Sequence, residues 1–259
     1  MKYSIVTPAA IAALFLSMMS CTGTDPEETG TPVKEPVVAE SFETRTKREI
    51  EAKLQIPATE KYTWKVYREY INSDTIKDAI VTVNRLSFAI DDAIRRNKTA
   101  KSAELGYMGN YNFFMYYDGA LDKYSVPIPV PSTPGRPLDV TFESVTSPTR
   151  KDVLIDYRIR NMGSRAYFAV LNESDLLLVF RWNRFDFAGT TTPKALLHSL
   201  EDNAEGGAAK DIVIYESELD NNAEAGVGDI YDFVPVITKK KKVLQHFVYE
   251  PRAAKYRLK

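Results

Sequence analysis

Between Tyr70 and Val83 the chain reads Tyr-Ile-Asn-Ser-Asp-Thr-Ile-Lys-Asp-Ala-Ile-Val-Thr-Val. Asn72, Asp74 and Asp78 place oxygen-bearing side chains just before an apolar run. Oxygens so arranged suit a hard cation, because Ca2+ takes about six to eight of them, several from carboxylates. Two carboxylates and one amide leave most of those places to backbone or water, so the same residues also read as a turn and a strand entry. A second group is aromatic: Tyr107, Tyr111, Phe113, Phe114, Tyr116 and Tyr117. Alternation puts Tyr111, Phe113 and Tyr117 on one face of a strand, with Phe114 and Tyr116 on the other. Apolar character on both faces predicts a buried central strand; the functional alternative is a platform on which sugar rings or a partner's side chains stack. A third group is Lys239, Lys240, Lys241 and Lys242, expected at an exposed hairpin tip. There they would guard a sheet edge, or touch anionic headgroups or polysaccharide.

The run before Ala79 resembles the calcium loop of integrin-alpha-type (FG-GAP or VCBS-like) repeats, D-x-[DN]-x-D-G-x-x-D before an apolar strand. Asn72, Asp74 and Asp78 match its third, fifth and ninth positions. Tyr70 stands at the first, and Thr75 stands where the repeat has glycine. The resemblance implies a degenerate repeat that keeps the turn while binding Ca2+ weakly or not at all; no other cofactor is expected. Lys77-Asp78, Lys151-Asp152 and Lys210-Asp211 each open a β-branched run. Their intervals, 74 and 59 residues, are unequal and exceed a propeller blade of about 40–50. The echo therefore reads first as a common entry into surface strands.

Catalytic signatures are sparse. There is no G-x-S-x-G, H-E-x-x-H or P-loop pattern, and the histidines are His198 and His246 alone. His198 is expected to be a satisfied surface residue and His246 a core or edge residue. A hydrolase built on two carboxylates stays open, since sequence spacing does not reveal spatial spacing.

The N-terminus gives an address. Lys2 precedes an uncharged, largely apolar stretch, Ile5 to Met19, too short to span a bilayer as a helix and suited to a signal peptide. It ends in Leu16-Ser17-Met18-Met19-Ser20-Cys21, and Cys21 is the chain's single cysteine. This resembles a bacterial lipoprotein signal, which implies diacylglycerol on Cys21 and removal of residues 1–20. Met18 departs from the usual leucine. Thr22 after the cysteine implies the outer membrane, on the periplasmic side or the cell surface. Several acyl chains anchor stably where one does not. Residues 22–40 are rich in Thr, Pro, Glu and Gly and predict a flexible tether. Counted to residue 46, it reaches roughly 25–30 Å.

Behind it a β-rich domain is expected over 47–259, with a subdivision at the prolines of 125–137. A helix over Ser41–Leu54 overlaps the end of the tether, and a second is expected near Ser87–Asn97 with Ile90, Ala93 and Ile94 on one side. About ten strands with frequent turn signals predict a mainly β fold: antiparallel sheets, as a sandwich or an open propeller-like array. With 44% apolar and 27% charged residues and a net charge of -1, the composition is globular and carries no bias toward nucleic acid. The functional expectation is a membrane-anchored envelope lipoprotein whose non-catalytic domain binds a protein or glycan. The alternatives are an envelope accessory or inhibitor protein with a degenerate calcium repeat, and the carboxylate hydrolase.

Overall fold

The computed structural model describes residues 40–98, 109–172, 175–186, 191–220 and 234–259. Residues from Ser41 to the C-terminus form one compact unit. Helix α1 (Phe42–Leu54) starts at Ser41, whose Oγ accepts the Thr44 N–H, and ends at Gln55 in the left-handed region, ahead of Pro57. Thr46 is fully buried and hydrogen-bonded to the Tyr124 hydroxyl. The ordered unit thus begins at Ser41 rather than at 47, and residues 42–46 belong to it rather than to a tether.

The remainder is mainly β and antiparallel, in sheets that do not close. Strands β1 (Thr63–Glu69), β2 (Asp78–Asn84), β3 (Asn112–Asp118) and β4 (Lys123–Tyr124) form a first meander, with β5 (Ile128–Val130) also paired to β3. Helix α2 (Leu86–Arg95) lies between β2 and β3. A second sheet holds β6 (Asp139–Glu143), β7 (Asp152–Ile159), β8 (Met162–Asn172), β9 (Asp175–Asp186), β10 (Lys194–Glu201), β11 (Asp211–Asp220), β12 (Val236–Glu250) and β13 (Lys255–Leu258), in that order. Among the described residues, two pairs join β9 to β10 within it, Lys194 with Asp186 and Ala195 with Phe185. It is therefore two four-stranded meanders meeting at a narrow seam, and the whole is an open stack of three.

Side-chain alternation explains the stacking. In β2, Ala79, Val81 and Val83 meet Ile50 of α1, while Ile80 points the other way, toward the second meander. In β8, Ala166, Phe168 and Val170 meet the first meander, and Tyr167 and Ala169 meet the third. Strands sandwiched in this way need apolar residues on both faces, which is why β2 and β7 read as nearly continuous apolar runs. The prolines of 125–137 do not divide domains: Val130 shares a core with Ile80 and Phe114 before them and Ile155 and Phe168 after them.

The Lys-Asp echo marks the same place in every meander, the entry to its second strand (β2, β7 and β11). Asp78 Oδ2 accepts the N–H groups of Ile71 and Asn72; Asp152 Oδ2 accepts those of Val145 and Thr146, at the same offsets. Each preceding lysine stitches its meander to the one before: Lys151 N–H donates to Ile71 O and Lys210 N–H to Val145 O, both at 2.8 Å. The unequal intervals arise because the insertions between these entries differ. Gly119 is required here, since a Cβ would lie 2.2 Å from Lys77 O, where the glycine N–H donates to Asp78 Oδ1.

Candidate functional site

The calcium-like residues are committed to their own loop. Asp78 is fully buried, and its oxygens accept three backbone N–H groups, from Ile71, Asn72 and Gly119. Burial raises its pKa, opposed by those amides. Asn72 Oδ1 accepts Asp74 N–H and Asp74 Oδ1 accepts Ile76 N–H, the short-range pattern of Asx turns. With one set of oxygens spent on amides, Ca2+ at 1 mM is expected to leave the unfolding midpoint within about 2 °C of its value in chelator. A rise above about 5 °C would imply more than roughly 1 kcal/mol of linkage and a working cation site.

Two expected binding groups are placed differently. Tyr111 and Tyr117 are buried and Phe113 packs in the core beneath α1. Tyr111 donates to Asp92 Oδ2, and Tyr117 packs against Phe42 and Tyr124, so these residues present no stacking platform; Tyr107 lies outside the described residues. The lysine run is not a hairpin tip. It lies inside the single strand β12, where the register against β11 slips between Tyr215 and Ser217. The reason is electrostatic pairing across the strands: Lys240 meets Glu218 at 2.8 Å and Lys242 meets Glu216 at 3.5 Å. The Lys239 ammonium sits 3.5 Å above the Tyr215 ring, and Lys241 is exposed.

The third meander carries the best-organised polar face. One side packs in the core through Ile212, Ile214 and Phe247. On the other, the apolar cluster among the described residues is Phe185 with Leu219 and Ile237 at the seam end. The rest is polar. Tyr215 donates to Glu201, which also accepts from Ser199. The Tyr215 hydrogen bond holds the Glu201 carboxyl below its usual pKa, and the same bond raises that of Tyr215. Asp211, nearly inaccessible, contacts His246 Nε2 at 2.7 Å and accepts from Asn203 Nδ2 at 2.7 Å. Asp78 and Asp152 give their oxygens chiefly to loop amides; Asp211 gives its two to side chains. The His246 side chain stays about one-third exposed, so the face offers a carboxylate, an imidazole, hydroxyls and Lys239 on a flat, preordered support.

A second polar group lies inside the seam. Arg165 grips Asp156 with Nε and Nη2, the former at 2.7 Å, and Arg184 approaches the same carboxylate at 3.4 Å. Burial opposes the Arg165 charge, but Asp156 outweighs it and the net pKa is raised. His198 packs edge-on to Tyr167, with both ring nitrogens buried and without hydrogen-bond partners. This corrects the expectation of a satisfied surface histidine; its ring is turned into the core because β10 is a strand with Leu196 and Leu200 facing the same cluster. Burial lowers its pKa to about 4, and repulsion from Arg165 and Arg184 adds to that, against attraction from Asp156.

One cleft, of about 220 Å3, brings together a facing carboxylate pair, Asp139 and Asp156. Both Asp156 oxygens are engaged by the Arg165 guanidinium. Sequence reading missed Asp211 with His246, 35 positions apart; only the β11–β12 register, which sets Val213 opposite His246, unites them. Cys21 lies outside the described residues, and no described helix is long and apolar enough to cross a membrane. Comparison with family models, with curated proteins and with solved structures finds no match.

Proposed function

We propose that this chain is an envelope lipoprotein, acylated at Cys21 and tethered by residues 22–40 to the outer membrane, whose β domain binds a glycan or a hydroxyl-rich protein surface without turning it over. The observation that supports this most is the polar face of the third meander, where Glu201, Ser199, Tyr215, His246 and Lys239 are fixed by partners within the same sheet. Preordered donors and acceptors on a rigid strand lose little entropy on binding. Of the two facing acids, Asp156 has both oxygens taken up by Arg165, which favours binding over a two-carboxylate hydrolysis.

Two measurements test the reading. Replacing Cys21 with Ser should move the protein from the membrane to the soluble fraction and abolish incorporation of labelled lipid; continued acylation would refute the anchor. For the face, the protein is incubated with purified peptidoglycan sacculi and with lipopolysaccharide core oligosaccharide. Binding to either should fall about tenfold in Glu201→Gln, since a charged hydrogen-bonding group contributes about 1.5–3 kcal/mol. If neither material is retained, or if the variant binds as well as the parent, the glycan assignment fails.

A further inference from the structure

Helix α2 divides the three residues expected on one side. Ala89, Asp92 and Ala93 face the core beside Tyr111, while Leu86, Ile90 and Ile94 are 38%, 45% and 60% exposed. The division has a cause. Asp92 is buried and accepts the Tyr111 hydroxyl at 3.0 Å, with Arg95 and Arg96 closing over it. Satisfying that carboxylate fixes the rotation of the helix and leaves the i, i+4, i+8 apolar row outside. A row of three branched residues on one exposed helix face is a docking surface rather than scattered surface apolarity.

Its surroundings are basic. Arg95, Arg96, Lys98 and Lys61 are exposed, against Asp91 and the buried Asp92. Alongside runs a cleft of about 660 Å3, walled by Pro57, Phe88 and Ile90, with Lys61 and Arg95 set beside Glu60 and Asp91. An apolar stripe bordered by arginine and lysine suits a helix lying in the plane of an anionic bilayer surface. Chain length allows it. On the lipoprotein reading, a tether of residues 22–40 would reach roughly 25 Å from Cys21 to the start of the folded unit at Ser41. Helix α1, about 20 Å long at 1.5 Å per residue, runs from there toward the α2 end of the first meander, where Glu60 pairs bidentately with Arg85.

We infer that α2 is a membrane-contact element: Leu86, Ile90 and Ile94 enter the interface of the bilayer that holds the anchor, and the neighbouring cations meet its anionic headgroups. The inference rests on the lipoprotein reading, but its test does not use the anchor. The unacylated Cys21→Ser chain is sedimented with vesicles of phosphatidylethanolamine and phosphatidylglycerol, and separately with phosphatidylcholine vesicles. It should partition to the anionic vesicles, less so at high salt, and the Ile90→Asp/Ile94→Asp double variant should bind about tenfold more weakly or worse. Both positions are exposed, so the double variant should keep its unfolding midpoint. Equal binding by the double variant, or no binding by the parent chain, would overturn the inference. So would self-association of the parent through this face without vesicle binding, which would assign the stripe to a second copy. Because acylation at Cys21 is scored separately, loss of the anchor reading and loss of this one are distinguishable.

Discussion

Replacing Asp152 with alanine should lower stability by about 3–5 kcal/mol and the unfolding midpoint by roughly 10–15 °C. Its carboxylate is buried and accepts three hydrogen bonds: from the N–H groups of Val145 and Thr146 at 2.9 and 2.7 Å, and from the Thr146 hydroxyl at 2.8 Å. Alanine removes the acceptor and strands the Val145 amide inside the fold. Burying an unpaired backbone donor costs more than the lost bond itself. The damage extends beyond one loop, because Val145 O receives the Lys210 N–H that joins the third meander to the second. Asp74→Ala, in the exposed part of the first loop, is the control and should cost less than about 1 kcal/mol. Thermal and urea unfolding of both variants decide the matter. A loss under about 1 kcal/mol for Asp152→Ala would show that the loop amides find other acceptors and that the carboxylate does not hold the strand entry.

The second large effect is acid lability seated at His198. Its pKa lies near 4 in the folded chain, against about 6.5 when unfolded. The unfolded state therefore takes up the proton first as pH falls. Stability from this residue is fully present above about pH 6.5, declines at about 1.4 kcal/mol per pH unit, and is lost as pH passes through about 4. Between pH 7 and pH 4.5 this amounts to about 2 kcal/mol. Protonation would set a third cation beside Arg165 and Arg184, with Asp156 already engaged. His198→Phe keeps a ring against Tyr167 and removes both unpartnered nitrogens. It should match or exceed the parent at pH 7 and lose about 2 kcal/mol less on going to pH 4.5. Asp78 and Asp152, whose pKa values are raised by burial, titrate in both proteins and cancel in the comparison. Parallel pH profiles for the two would remove His198 as the cause.

How much of this was legible follows from the physics of each signal. The strands buried on both faces, β2, β3 and β7, announced themselves because double burial demands an unbroken apolar run. The helix over residues 42–54 was visible through its Ser41 cap and Pro57. Strand β10 is not legible in the sequence: Leu196, His198 and Leu200 do alternate, but Leu197 between them and the single imidazole mask the period. Strand β12 was cut in two because four lysines contradict a strand interior; it tolerates them since Glu216 and Glu218 lie on the neighbouring strand. The split of α2 is not legible because burying Asp92 in preference to Ile90 and Ile94 depends on a hydroxyl from Tyr111, nineteen residues away. Pairing over such distances is set by strand register, which no local pattern encodes. The Lys-Asp echo was present in the residues, yet its meaning lay in hydrogen bonds between meanders.

The narrow seam has a mechanical consequence. Suppose load enters at Ser41 and leaves through a ligand held on the third meander. The β9–β10 ladder then offers only a short edge, so load between the second and third meanders passes through the Lys210–Val145 hydrogen bond and their shared core of Leu154, Tyr167, Phe180, Ile212 and Ile214. The first and second meanders are joined in the same way, by the Lys151–Ile71 hydrogen bond and the core around Ile80 and Phe168. Tension along the stack should therefore meet comparable resistance at both junctions, and the protein should bear load as one piece rather than shed the third meander first.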